Sequence, residues 1–281
     1  MPLPVRLVLL SLFPLGAGLL SIQRGKSAGY DWMLYHHYNA YAFLNGRESA
    51  DILPAGVRGF WNPLVELPFY ACTTALPAQG CAFAAGFVHG LNYALVVPIA
   101  ALALRPFGHS PRLAGVLPWL LALAGALGAG SLGMLGGANH DNLVSLFFLI
   151  ALLLLVRAAD QRGDGLGAGA AWVLLAGVSV GIGCGLKLTL ASFGVAIVLG
   201  PLFLVAPWRR RLAMLVACGV GAAIGGLASS GFLMLRMARL TANPLFPYFT
   251  RLFGGPYRDF VDARDLRYLP GSLAEAAFYP F

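Results

Sequence analysis

Between Arg112 and Arg157 lie 44 residues, almost all of them apolar. As a helix they would run about 66 Å, roughly two crossings of a 30 Å hydrocarbon layer. Both ends carry arginine, and short basic loops stay on the cytoplasmic side of a membrane. The chain is therefore expected to cross and return, turning outside over residues 136–142, GGANHDN. Residues 163–208 repeat the pattern: only Asp164 and Lys187 are charged, so two spans fit, with Lys187 near the outer turn.

Three short loops share this basic character. They are RPFGHSPR (Arg105, Arg112), RAADQR (Arg157, Arg162) and WRRR (Arg209, Arg210, Arg211). With Arg6 they are placed in the cytoplasm. Seven spans follow, over about residues 5–22, 81–104, 113–135, 142–159, 166–184, 189–206 and 212–235. The expected fold class is an all-α, polytopic transmembrane helical bundle, one domain over residues 1–281, with surface-lying helices in a first outer loop of residues 23–80. The span over 5–22 reads as an uncleaved first helix, not a signal peptide, because its apolar core is long and no A-x-A site precedes Arg24.

Composition agrees: 59% of the 281 residues are hydrophobic and 11% charged. A net charge of +8 in a soluble protein would suggest nucleic acid. Here the arginines sit at the ends of apolar runs, so no nucleic-acid partner is implied and membrane lipid is. Cys72, Cys81, Cys184 and Cys218 show neither CxxC nor metal spacing, which leaves no disulfide framework or zinc site to infer. Two stripes of small residues, Gly125/Ala129/Gly133/Gly137 and Gly177/Gly181/Gly185, are expected to let helices approach closely.

The residues able to do chemistry gather on the outer side. The stretch GYDWMLYHHYNAYAFLNGR, residues 29–47, holds Asp31, Tyr35, His36 and His37. If residues 32–44 are helical, Asp31, Tyr35, Tyr38 and Ala42 share a face, an acid beside two phenols. A helix rich in Tyr and Trp suits the membrane surface. Asp31 also fits a plain N-cap, and the two histidines a wet, idle face. NPLVELPFYACTTALP, residues 62–77, is too short to span and reads as a second surface-lying or re-entrant helix, whose Glu66 belongs with the outer-side ionisable residues and also fits a group facing water. His140 and Asp141 lie in the second outer turn, where Asp141 also fits a cap. Lys187 lies at the third, where it also fits a snorkelling lysine. Asn243 opens NPLFPYF, a proline-rich turn. The alternating Arg and Asp residues of 258–267 read as a solvated face.

Two acids and a lysine at the outer face suit one task. A carboxylate can orient or deprotonate an acceptor hydroxyl. A lysine can hold a phosphate as a point charge. Nucleotide sugars are cytoplasmic, so an outer-face transferase needs a donor already carried across, for which a polyprenyl-phosphate sugar fits. The rival class, a transporter or flippase for a lipid-linked or polar solute, would carry acids and helix breaks at mid-membrane and inverted repeats. Here the polar residues cluster at the outer edge and no repeat is visible.

In these motifs the chain resembles the GT-C class of integral-membrane glycosyltransferases, close to its bacterial mannosyl- and arabinosyl-type branch. The likeness rests on YDWMLYHHYNAYAFLNGR, NPLVELPFY, ANHDN, GLKLT and NPLFPYF. It implies Asp31 as first-loop catalytic acid, Asp141 as second-loop acid, and Lys187 as a donor-phosphate residue. Tyr35, His36, His37, His140 and Asn243 are the further substrate-binding candidates. It implies a polyprenyl-phosphate sugar as donor, an envelope glycan or lipid as acceptor, inversion at the sugar, and location in the bacterial plasma membrane. No cofactor and no metal ligands are implied. Members of the class usually have more spans, so the chain is expected to be incomplete at its C-terminus.

Overall fold

The computed structural model describes residues 3–25, 29, 31–47, 56–137, 140–160, 169–255 and 270–278. The Arg and Asp residues of 258–267 lie outside the described residues. Those described are helical or irregular, with no strand among them. Two compact units divide the chain, Met1–Phe232 and Leu233–Phe281.

The first unit begins with α1, Leu3–Arg24. A π-helical turn, Trp32–His36, leads into α2, His37–Leu44. Then α3, Leu67–Ala75, and α4, Ala78–Ala103, follow. Ser110 accepts from the backbone N–H of Leu113 and Pro111 takes the first position of α5, Pro111–Ala126, a start signal well suited to a helix leaving an arginine loop. The short α6, Ala129–Met134, precedes α7, Asp141–Asp160. Next come α8, Ala170–Leu186, and α9, Ala191–Leu199. The long α10, Trp208–Thr241, carries the boundary between the units within it.

Among the described residues, four helices are long and apolar enough to cross a membrane: Leu3–Arg24, Ala78–Phe107, Asp141–Asp160 and Trp208–Thr241. Leu12 and Leu19 on α1, Leu120 on α5, and Val216 and Ile224 on α10 are all more than half exposed. Apolar surface of that extent needs lipid against it. The protein is a helical membrane protein. The other apolar segments, Pro111–Ala126, Ala170–Leu186 and Leu188–Phe203, are shorter. The expected span over 113–135 is not one helix: it breaks at Leu127 and Gly128, where Gly128 turns to an extended backbone.

Close contacts fix how the helices run. A Cβ on Gly86 would meet the Ala17 carbonyl, and one on Gly90 the Phe13 carbonyl, so α1 and α4 are antiparallel. On α8 a Cβ at Gly177 would lie 2.1 Å from the Cys218 carbonyl oxygen, and at Gly181 2.2 Å from that of Ala222. Position rises with position, so α8 and α10 run parallel with backbones in contact. The Gly177/Gly181/Gly185 stripe thus does what its spacing predicts. The other stripe does not: the break at Leu127–Gly128 interrupts it, and Gly133 has open space around it. Ala151, Leu155, Val173, Val180, Met214 and Cys218 fill the core between α7, α8 and α10.

Gly181→Ala forces a methyl into the Ala222 backbone. It is expected to cost about 1–3 kcal/mol, the usual penalty of overpacking. Gly219→Ala on α10, with nothing within 4 Å of the added methyl, is expected to be neutral. Thermal unfolding of both variants in detergent checks the pair; equal melting would mean the α8–α10 contact is not tight.

Polar contacts then sort the ends of this unit. Arg105 Nη1 bonds Asp160 Oδ2 at 2.5 Å, joining the C-terminal ends of α4 and α7. A Cβ on Gly169 would touch the Ala158 carbonyl and the Met214 side chain, which brings the starts of α8 and α10 to the same end. The basic loops therefore share one end of the bundle. At the other end meet the C-terminus of α1, the start of α7 and the C-terminus of α8: a Cβ on Gly136 would strike Ser21 Oγ, and Lys187 reaches Asp141.

Candidate functional site

At that second end the segment between α1 and α4 folds onto the bundle. Asn62 fastens it. Its Oδ1 accepts from Leu64 N, which starts a short turn with Pro63 in first position. Its Nδ2 donates to the carbonyls of Gly185 and Ser229, both at 2.8 Å. The Gly185 carbonyl is among the last of α8, whose final carbonyls lack helical partners. Trp32 packs edge-on against Phe69, and Tyr35 against Trp61. These rings hold the π-turn and α2 against the segment around Glu66.

Glu66 is 1% exposed, which removes the alternative that it faces water. A carboxylate buried this deeply needs positive or hydrogen-bonding partners. Histidines supply them. His36 Nδ1 is hydrogen-bonded to both Glu66 oxygens, at 2.9 and 3.0 Å. His140 Nε2 stands 2.7 Å from Glu66 Oε2, yet without the alignment of a hydrogen bond, so this buried nitrogen has no hydrogen-bond partner. The two imidazoles meet edge to face with centroids 4.4 Å apart. Among the described residues this is the group of three His, Cys, Asp or Glu side chains whose ligand atoms converge, all within 4.8 Å of one another. His36 is therefore no idle wet face. His37 turns the other way, against Trp32 and Tyr70.

Tyr35 stacks at a tilt on His36, centroids 4.1 Å apart, with the Arg58 guanidinium 5.4 Å over its ring. Burial pushes the phenol pKa up to about 12, with Asp31 adding to the rise and Arg58 opposing it. Tyr35 thus stays protonated at neutral pH, close enough to Asp31 to feel its charge. Asp31 itself is exposed and has helical backbone angles, and its side chain makes no capping bond. The expected neighbourhood of Asp31 and Tyr35 is present. The buried positions of this helix are Trp32, Tyr35, His36, Asn39, Ala40 and Ala42; on the predicted face Tyr35 and Ala42 are buried, Tyr38 half-buried and Asp31 exposed.

Residues 140 and 141 divide the labour at the start of α7. His140 points inward to Glu66; Asp141 is exposed and takes a 2.6 Å bond from Lys187 Nζ. Lys187 ends α8 with extended backbone angles that swing its side chain off the helix. Its ammonium has three donors, of which this bond uses one. A cavity of about 290 Å³ is lined by Asn142, the residue after Asp141, and by Tyr93, Val96, Phe148, Leu190 and Phe193. Its walls are overwhelmingly apolar.

In the second unit, Asn243 is 1% exposed. Its Oδ1 accepts from Leu245 N and its Nδ2 donates to the Tyr248 carbonyl at 2.7 Å. Both polar atoms close its own turn, the structural role that an Asn-Pro turn suggests.

No protein-family model, curated protein or solved structure matches the chain.

Proposed function

We propose that the protein is a multi-pass glycosyltransferase of the bacterial plasma membrane that moves a sugar from a polyprenyl-phosphate donor to a cell-envelope acceptor at the outer face. The observation that carries the proposal is the Asp141–Lys187 ion pair, with an apolar cavity of about 290 Å³ whose lining includes Asn142, the residue after Asp141. A lipid-linked phosphate has those two needs, a cation at its head and an apolar bed for its chain. On this reading the free donors of Lys187 hold the phosphate, Asp141 positions that lysine, and Asp31 takes the proton of the acceptor hydroxyl. The seven-span topology belongs to the same proposal, with the three shorter apolar segments completing it and the helices of residues 23–80 lying at the membrane surface.

Donor binding tests the function. Synthetic polyprenyl-phosphate sugars should bind the purified protein, and Lys187→Ala should weaken them about ten- to a hundredfold, as loss of a charged hydrogen bond of roughly 1.5–3 kcal/mol dictates. Lys187→Arg should restore part of the affinity, a planar fork replacing a point charge. A protein that binds no such lipid overturns the reading. Sidedness is tested separately, in a cysteine-free background. An impermeant thiol reagent applied from outside should label Thr74→Cys on α3 and leave Ser110→Cys untouched; the reverse pattern would invert the topology.

A further inference from the structure

We infer that His36, Glu66 and His140 form a binding site for a divalent transition-metal ion, zinc(II) or one of similar softness. The inference goes beyond the proposed reaction and does not depend on it. Three donor atoms, His36 Nδ1, a Glu66 carboxylate oxygen and His140 Nε2, lie within 4.8 Å of one another. Around a cation with bonds of about 2.0–2.2 Å, donor atoms stand roughly 3–3.5 Å apart, so modest adjustments, apart for the closest atoms and together for the widest, would seat one. All three residues are at least nine-tenths buried, at 6, 1 and 4% exposure.

The unpartnered nitrogen separates a metal site from a closed ion-pair network. His36 alone satisfies Glu66 through a hydrogen bond to each oxygen. His140 then adds a second imidazole, 2.7 Å from an oxygen but out of line for a proton to bridge them. Two lone-pair atoms that close repel unless positive charge stands beside both. A cation in the plane of the His140 ring supplies that charge and replaces the proton of His36. The donor set also selects the ion. Two imidazoles and one carboxylate suit zinc, iron or nickel better than magnesium or calcium, which prefer oxygen throughout. Three protein ligands leave a coordination position open, as in zinc sites that bind water or substrate. Each ligand comes from a different segment, residue 36 from the π-turn, 66 from the turn before α3, and 140 from the approach to α7. A bound ion would therefore tie the two outer segments together.

The full chain, purified in detergent with a tag lacking histidine and stripped with chelator, should take up about one equivalent of Zn²⁺ by elemental analysis. Co²⁺ should give the visible absorption of a low-coordinate site. Zn²⁺ should raise the melting temperature, since an ion that binds only the folded state stabilises it. His140→Gln and His36→Gln should each lower affinity by about a hundredfold or more, a direct ligand mattering at least as much as the outer-shell groups that cost 10–100-fold. Asp31→Asn should bind metal as the wild type does. Stripped wild-type protein that takes up no Zn²⁺ or Co²⁺ and melts unchanged in their presence overturns the inference. So does uptake that persists in both histidine variants. If the variants fail to fold, wild-type uptake and melting decide alone. Since no donor lipid enters the experiment, its failure leaves the transferase reading standing, and the failure of that reading leaves the metal site standing.

Discussion

Replacing Asp31 by Asn should lower sugar transfer by about 10²–10⁴-fold, the usual cost of losing a general base, while leaving the protein as stable as before. The expectation of unchanged stability comes from the structure. Asp31 is exposed and caps nothing with its side chain, so no helix start depends on it. Its neighbour is the Tyr35 phenol, beside which an amide oxygen can accept as a carboxylate does. What asparagine cannot do is take a proton. Transfer to a soluble acceptor analogue by protein in nanodiscs, with melting measured in parallel, checks both halves. Near-normal turnover in a stable variant would remove Asp31 from the chemistry.

Glu66→Ala should have the largest effect on stability, a loss of about 3–5 kcal/mol, the range found when one partner of a buried charged pair is removed. His36 would lose both of its bonds to the carboxylate, and two imidazoles would face each other across a hole. Glu66→Gln keeps the volume and one acceptor and should cost clearly less. Thermal unfolding of metal-free protein, followed by tryptophan fluorescence, separates the two variants. If Glu66→Ala melts with the wild type, the triad holds nothing together.

Much of the bundle was legible because lipid simplifies the reading. Long apolar runs had to become helices, and arginine loops had to share an end; Arg105 meeting Asp160 agrees. Glycines four apart marked the α8 face that touches α10, since only a missing side chain permits that approach. The other glycine stripe misled, because spacing is meaningful only on an unbroken helix and Leu127–Gly128 interrupts that one.

Most members of the site were legible, Glu66 at its centre less so, and the distant groupings were not. Asp31 with Tyr35 is a local pair, four residues apart, and helical spacing finds it. Glu66 with His36 and His140 is made by contacts across 30 and 74 positions, which no local period encodes. One signal was available: Glu66 is the sole charge in FWNPLVELPFYACTTALP, and an acid alone among apolar residues near a membrane calls for a buried partner. The π-turn at Trp32–His36 had no such signal, and it sits where the pattern of steps of three and four was applied. Asp141 and Lys187 were singled out separately; that each is the other's partner follows only from α7 and α8 running antiparallel.

Asn62 has a consequence for the order in which the protein is built. Synthesis proceeds from the N-terminus, so residues 36, 66 and 140 all exist before α8 is made. The two carbonyls that Asn62 grips, on Gly185 and Ser229, are among the later parts to leave the ribosome. Until then the segment carrying Glu66 has its histidine partners but lacks both bonds of the Asn62 amide. Its final docking must wait for α10, which makes assembly of this end of the molecule a late event in biogenesis, and makes α10 a checkpoint for it.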